Sequence, residues 1–124
     1  MDRQTHVEIP IACDPAAIEA DVRATHLSVA EQLLRHDATE VRELPDGFAF
    51  RYPAEQYAQV TQFIANERLC CPFFTFTLEV TSGHGPLWLR ITGSDEIKAF
   101  IQSTLLLAIY RGRTGCGGRA CIVQ

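Results

Sequence analysis

Two adjacent thiols, Cys70 and Cys71, are followed at once by a proline in the run Glu67-Arg68-Leu69-Cys70-Cys71-Pro72-Phe73-Phe74. A second pair, Cys116 and Cys121, stands at C-x4-C spacing in a glycine-rich stretch. Thiolates are the preferred ligands of soft ions: Zn(II), Cu(I) and, by the same softness, Hg(II), Cd(II) or As(III). Gly117 and Gly118 give the second pair the freedom to wrap an ion. If the two pairs converge, four sulfurs form one site. Cys70, Cys71, Cys116 and Cys121 are therefore the candidate metal ligands, and the candidate cofactor is a thiophilic ion such as Zn(II) or a heavy metal. Neighbouring residues on a regular element point apart, so the chain must turn between Cys70 and Cys71 for both to serve one ion.

Other uses of the same residues are weaker chemistry. A buried cysteine also behaves as a small hydrophobe. Cys13, just before a helix start, reads as structural in this way. Arg68 could lower a thiol pKa and so make a nucleophile. Against that, the C-terminal end of a helix is the wrong end of its dipole for a thiolate. Glu67 and Arg68 read more simply as a solvated ion pair, and His84 as an exposed turn residue. His26 and His36 fall on the first helix or its end, and His6 on the first strand. Trp88 and Arg90 face away from the Leu87, Leu89 and Ile91 side, where they could line a groove or a subunit contact. The chain has no Gly-x-Ser-x-Gly, P-loop, Gly-x-Gly-x-x-Gly or His-Glu-x-x-His motif. Soft-metal or metalloid binding is the first reading of function and a non-enzymatic homodimeric interaction or sensory module the second. A thiol redox enzyme is the third, and the balance leans away from an enzyme.

The elements that would position these thiols follow from periodicity. Val7, Ile9 and Ile11 alternate with polar residues in a first strand, His6 to Ala12. Asp14-Pro15 is a helix start: Asp caps free N–H groups and Pro fits the first helical position. Ile18, Val22, Val29 and Leu33 then recur at helical spacing to about Arg35, with a break expected near Asp21 to Thr25. Val41 to Leu44 and Phe48 to Tyr52 flank Pro45-Asp46-Gly47 and predict a β-hairpin. Phe48, Phe50 and Tyr52 share one face of it. Pro53 opens a helix to about Leu69 with the stripe Tyr57, Val60, Phe63 and Ile64. Pro72 stops it by pushing Cys71 out of the α region. Phe74, Phe76, Leu78 and Val80 alternate with Thr75, Thr77, Glu79 and Thr81, and Leu87, Leu89 and Ile91 form the return strand. Ser94 caps a last helix from Asp95 to about Tyr110.

The expected fold is α+β, a single antiparallel sheet with helices packed on one face, in the order β-α-β-β-α-β-β-α. Residues 1–110 form one domain, and 111–124 form a Gly- and Cys-containing tail. Leu105, Leu106, Leu107, Ile109 and Tyr110 make the last helix apolar nearly all round, which points to a homodimer through that helix.

The 124 residues carry a net charge of −4 and a single lysine, Lys98. That balance excludes a broad nucleic-acid-binding face. The longest apolar run, Leu105 to Tyr110, is too short to span a bilayer. With no apolar leader after Met1, the expected location is cytoplasmic, where five cysteines are not expected to form a disulfide framework.

Four blocks carry a resemblance. They are Cys13-Asp14-Pro15, Glu43 to Arg51, Glu67-Arg68-Leu69-Cys70-Cys71-Pro72-Phe73, and Gly85 to Gly93. The stretch from Cys13 to Phe100 resembles a family of small, uncharacterised bacterial proteins with a Glu-Arg-x-Cys-Cys-Pro-Phe motif. The resemblance implies one small domain and no particular chemistry. It does not extend to the tail.

Overall fold

The computed structural model describes residues 12–103 and 122–123. The expected first strand, the far end of the last helix, and Cys116 and Cys121 lie outside them. The described chain runs through a 3-10 turn at Pro15–Ala17, α1 at Ala20–Gln32 and a π turn at Leu33–Asp37. The hairpin β1 (Glu40–Leu44) and β2 (Gly47–Tyr52) follows. A 3-10 turn at Ala54–Gln56 leads into α2 (Tyr57–Cys70). Then come β3 (Thr75–Val80), β4 (Leu87–Thr92), α3 (Asp95–Ile101) and the two-residue β5 (Ile122–Val123).

The fold is α+β, as the alternation predicts. The sheet order is β3-β4-β2-β1-β5. The β1–β2, β2–β4 and β3–β4 pairs are antiparallel, and β5 adds a short parallel pairing to the free edge of β1. Three cross-strand rows make the inward face: Val41, Phe50, Leu89 and Leu78; Phe48, Ile91 and Phe76; Tyr52, Leu87 and Val80. All but Phe76, Leu78 and Val80, on the edge strand β3, are buried. The other face carries Arg42, Arg51, Trp88 and Arg90. There Arg42 lies over the Trp88 ring at 4.9 Å and Arg90 pairs with Glu79 at 2.9 Å. Both charges are thereby paired.

The helices cover the inward face. Phe63 of α2 meets Phe76 of β3 edge-on, with ring centroids 6.2 Å apart. The Tyr52 hydroxyl of β2 donates to the Leu33 carbonyl just past α1, at 3.1 Å. Burial, and secondarily the charge of Asp37, hold that phenol far above its ordinary pKa. It therefore acts only as a fixed donor. Ser94 caps α3 by accepting from the Ile97 N–H, as expected.

Two local expectations change. The first helix breaks at Ile18–Glu19, between the 3-10 turn and α1, and Asp21 to Thr25 are continuously helical. Small and β-branched residues weaken a helix by tenths of a kilocalorie, and packing of one face overrides that. Arg23 ties the two pieces together, donating to the Pro15 and Ile18 carbonyls at 2.9 and 3.0 Å. The hairpin turn is Pro45-Asp46, because Gly47 already pairs with both Leu44 and Thr92 inside the sheet. Its missing side chain lets the Ile91 backbone come close.

Candidate functional site

The site forms where α2 ends. Val60, Phe63, Glu67 and Cys70 recur at spacings of three and four and make up the buried face of α2. Tyr57, assigned to this stripe from periodicity, is half exposed instead. At the C-cap, Cys71 leaves helical geometry with φ −129° and ψ 76°, while its N–H still donates to the Glu67 carbonyl at 2.7 Å. Pro72 fixes that departure. The turn lets two consecutive cysteines both point inward. Cys70 is 5% exposed and Cys71 4%.

A third thiol comes from the other end of the domain. The Asp14 N–H donates to the Cys70 carbonyl at 2.7 Å, docking the residue just before the 3-10 turn onto the end of α2. The Asp14 side chain caps that turn by accepting from Ala16 N–H. This placement brings Cys13 against Cys71, with Cα atoms 4.5 Å apart, and the two are joined as a disulfide across 58 residues. Cys70 stays a free thiol, its Sγ 3.6 Å from that of Cys71. The three sulfurs lie within 4.8 Å of one another. Cys13 is exposed and the other two are buried, so the corner opens to solvent on the Cys13 side.

Beneath the thiols lies a buried polar pair. Glu67 sits one helical turn before Cys70 and Cys71, and its Oε1 is 2.9 Å from Nε2 of His26 on α1. His26 is 2% exposed and Glu67 8%. His26 Nδ1 finds no hydrogen-bond partner among the described residues. A proton on Nε2 fits best: it donates to the carboxylate and leaves Nδ1 as the bare acceptor. The opposite tautomer would bury an unpaired N–H, which costs more. The imidazole stacks on Phe63, with centroids 5.9 Å apart. Burial raises the Glu67 carboxyl pKa, against the lowering effect of His26. Burial, and then the Glu67 carboxylate, push the Cys70 thiol up. Cys70 is thus held protonated and is a poor free nucleophile.

Several sequence readings need correction here. Glu67 is not a solvated partner of Arg68: it is buried against His26, while Arg68 is exposed. Both buried residues were visible as gaps in apolar stripes. His26 fills the position between Val22 and Val29, and Glu67 the position after Phe63. Cys13 contributes a sulfur to the cluster as well as local structure. The signal for that was faint, since a lone cysteine before a helix start says nothing about which distant residue it meets. The Cys13–Cys71 bond is a single disulfide beside the free Cys70 thiol. His84 is an exposed turn residue, with φ +58° beside Gly83 at +68°.

Of the four proposed ligands, Cys70 and Cys71 belong to the cluster, and Cys116 and Cys121 lie outside the described residues. Ile122, next in sequence to Cys121, pairs with Val41. That is the sheet edge opposite β3, four strand spacings or about 19 Å across the sheet. The apolar run Leu105 to Tyr110, and with it the expected dimer contact, is likewise outside the described residues. Among the described residues no helix is long and apolar enough to cross a membrane.

Comparison of the chain with protein-family models, curated proteins and solved structures returns no match.

Proposed function

We propose that the reduced protein binds a soft metal or metalloid ion through the thiols of Cys13, Cys70 and Cys71. One observation carries this reading: three sulfurs from two distant segments converge at a turn, all within 4.8 Å of one another. Thiol sulfur is the donor that soft ions select, and three of them at this spacing can reach a common centre. The Cys13–Cys71 disulfide is, in this reading, the oxidised form that cannot take an ion.

The test is native mass spectrometry of the reduced full-length chain with Zn(II), Hg(II) and As(III) in turn. The expected result is a stoichiometric adduct that disappears when the thiols are alkylated beforehand. An adduct that survives alkylation, or none with any of the three ions, overturns the reading.

The disulfide gives specific support to a second reading, a thiol redox protein in which Cys70 attacks Cys71 and releases Cys13. It ranks lower because Cys70 is buried beside a carboxylate, which disfavours the thiolate such an attack needs.

A further inference from the structure

The number and spread of the sulfurs narrow the ion. Cys70 Sγ and Cys71 Sγ are 3.6 Å apart. With an ion–sulfur bond of about 2.3 Å, that separation corresponds to an S–ion–S angle of roughly 100°. A linear two-coordinate ion would hold the same sulfurs about 4.6 Å apart. The vicinal pair therefore suits a bent arrangement. When the Cys13–Cys71 bond is reduced, Cys13 supplies a third corner on the solvent side. Among the described residues, no carboxylate or imidazole joins the three sulfurs within the same reach. The acid nearest in sequence on α2, Glu67, is held by His26.

We propose that this corner is matched to a trivalent metalloid hydroxide of the arsenite type, bound as a three-thiol pyramid of Cys13, Cys70 and Cys71. The proposal rests on the soft-ion reading above and deepens it. As(III) keeps a lone pair in its fourth position, so three sulfurs complete its shell. Zn(II) takes four ligands, so three sulfurs would leave it a fourth position to fill with water. Arsenite near neutral pH is the uncharged As(OH)3, so it can approach two buried sulfurs without the cost of burying a bare ion. Binding is a ligand exchange. Three S–H bonds and three As–OH bonds break, three As–S bonds form, and the three hydrogens leave with the three hydroxyls as water. Nothing is oxidised or reduced, and no net proton is released. Cys70 can therefore enter the exchange as a thiol, the form its buried position favours.

The experiment is titration of the phosphine-reduced full chain with arsenite, read by native mass spectrometry and by counting free thiols. We expect one arsenic per chain, a mass gain of one arsenic less three hydrogens, and the loss of three titratable thiols. The Cys116→Ser/Cys121→Ser variant should behave identically. Cys13→Ser, whose side chain is exposed and whose loss leaves the core intact, should lose the three-hydrogen signature. Binding of Zn(II) or Hg(II) through thiols without arsenite binding overturns this proposal and leaves the soft-ion reading standing. Failure of all three ions overturns both. An arsenite adduct abolished by the Cys116→Ser/Cys121→Ser change overturns the three-thiol assignment.

Discussion

The two halves of α2 bury the same face and use it differently. Val60 and Phe63, in the first half, pack against the sheet and α1 as apolar side chains. Glu67 and Cys70, one and two turns later, are nearly as buried yet carry an ionisable carboxyl and a thiol. Burying apolar area stabilises a fold, whereas burying a carboxyl costs several kilocalories unless it is paired. The first half therefore explains itself by packing. The second needs His26 beneath it and has three sulfurs above it. A carboxyl on the core face of a helix needs a compensating partner, and here another helix supplies it in His26.

The sharpest way to test this contrast is to damage the first half. Phe63→Ala removes a fully buried ring and should cost about 4 kcal/mol in urea unfolding. Where the variant is still folded, thiol reactivity at Cys70 should stay as in the parent. A change in reactivity as large as the stability loss would mean the two halves are not separable.

Breaking the polar pair comes next. His26→Leu leaves the Glu67 carboxylate buried without its partner and should cost about 3 kcal/mol. Adding Glu67→Leu, which makes the second half apolar like the first, should restore most of that stability. A double variant as unstable as the single one would show that the pair contributes more than its own mutual satisfaction.

The pH dependence sharpens the same point. Burial raises the Glu67 carboxyl pKa, so the folded state holds this proton more tightly than the unfolded chain does. Its contribution to stability is full below the unfolded carboxyl pKa, about 4.3, and is lost as pH rises through the higher folded value. The stability difference between the parent and Glu67→Gln should therefore shift against the parent from about pH 4 upward and then level off. A difference that is flat with pH would place Glu67 outside the buried pair.

The smallest effect is kinetic. In the reduced protein, iodoacetamide should modify exposed Cys13 several-fold faster than Cys70. Glu67→Gln should speed Cys70 modestly, because removing the carboxylate takes away one of the two main influences that raise its thiol pKa. Equal rates at Cys13 and Cys70, read by peptide mapping, would contradict the buried, protonated state of Cys70.

Much of the fold was legible because it is written in local periodicity. Phe48, Phe50 and Tyr52 alternate inward, Leu87, Leu89 and Ile91 answer them, and Pro72 ends α2 where its missing N–H and bulk require. The vicinal pair Cys70-Cys71 was legible as a junction for the same reason. Which groups surround it was not. Cys13 lies 58 residues from Cys71, and His26 lies 41 residues from Glu67. Sequence spacing carries no information about contacts that depend on how α1 docks beside α2. The chain alone determined the α+β architecture, the position of the turn and the softness of its donors. Only the tertiary structure decided that Cys13 completes the cluster and that Glu67 is buried against His26. Both depend on packing between distant segments, and a side chain's partner is chosen by whatever that packing places within a few ångströms of it.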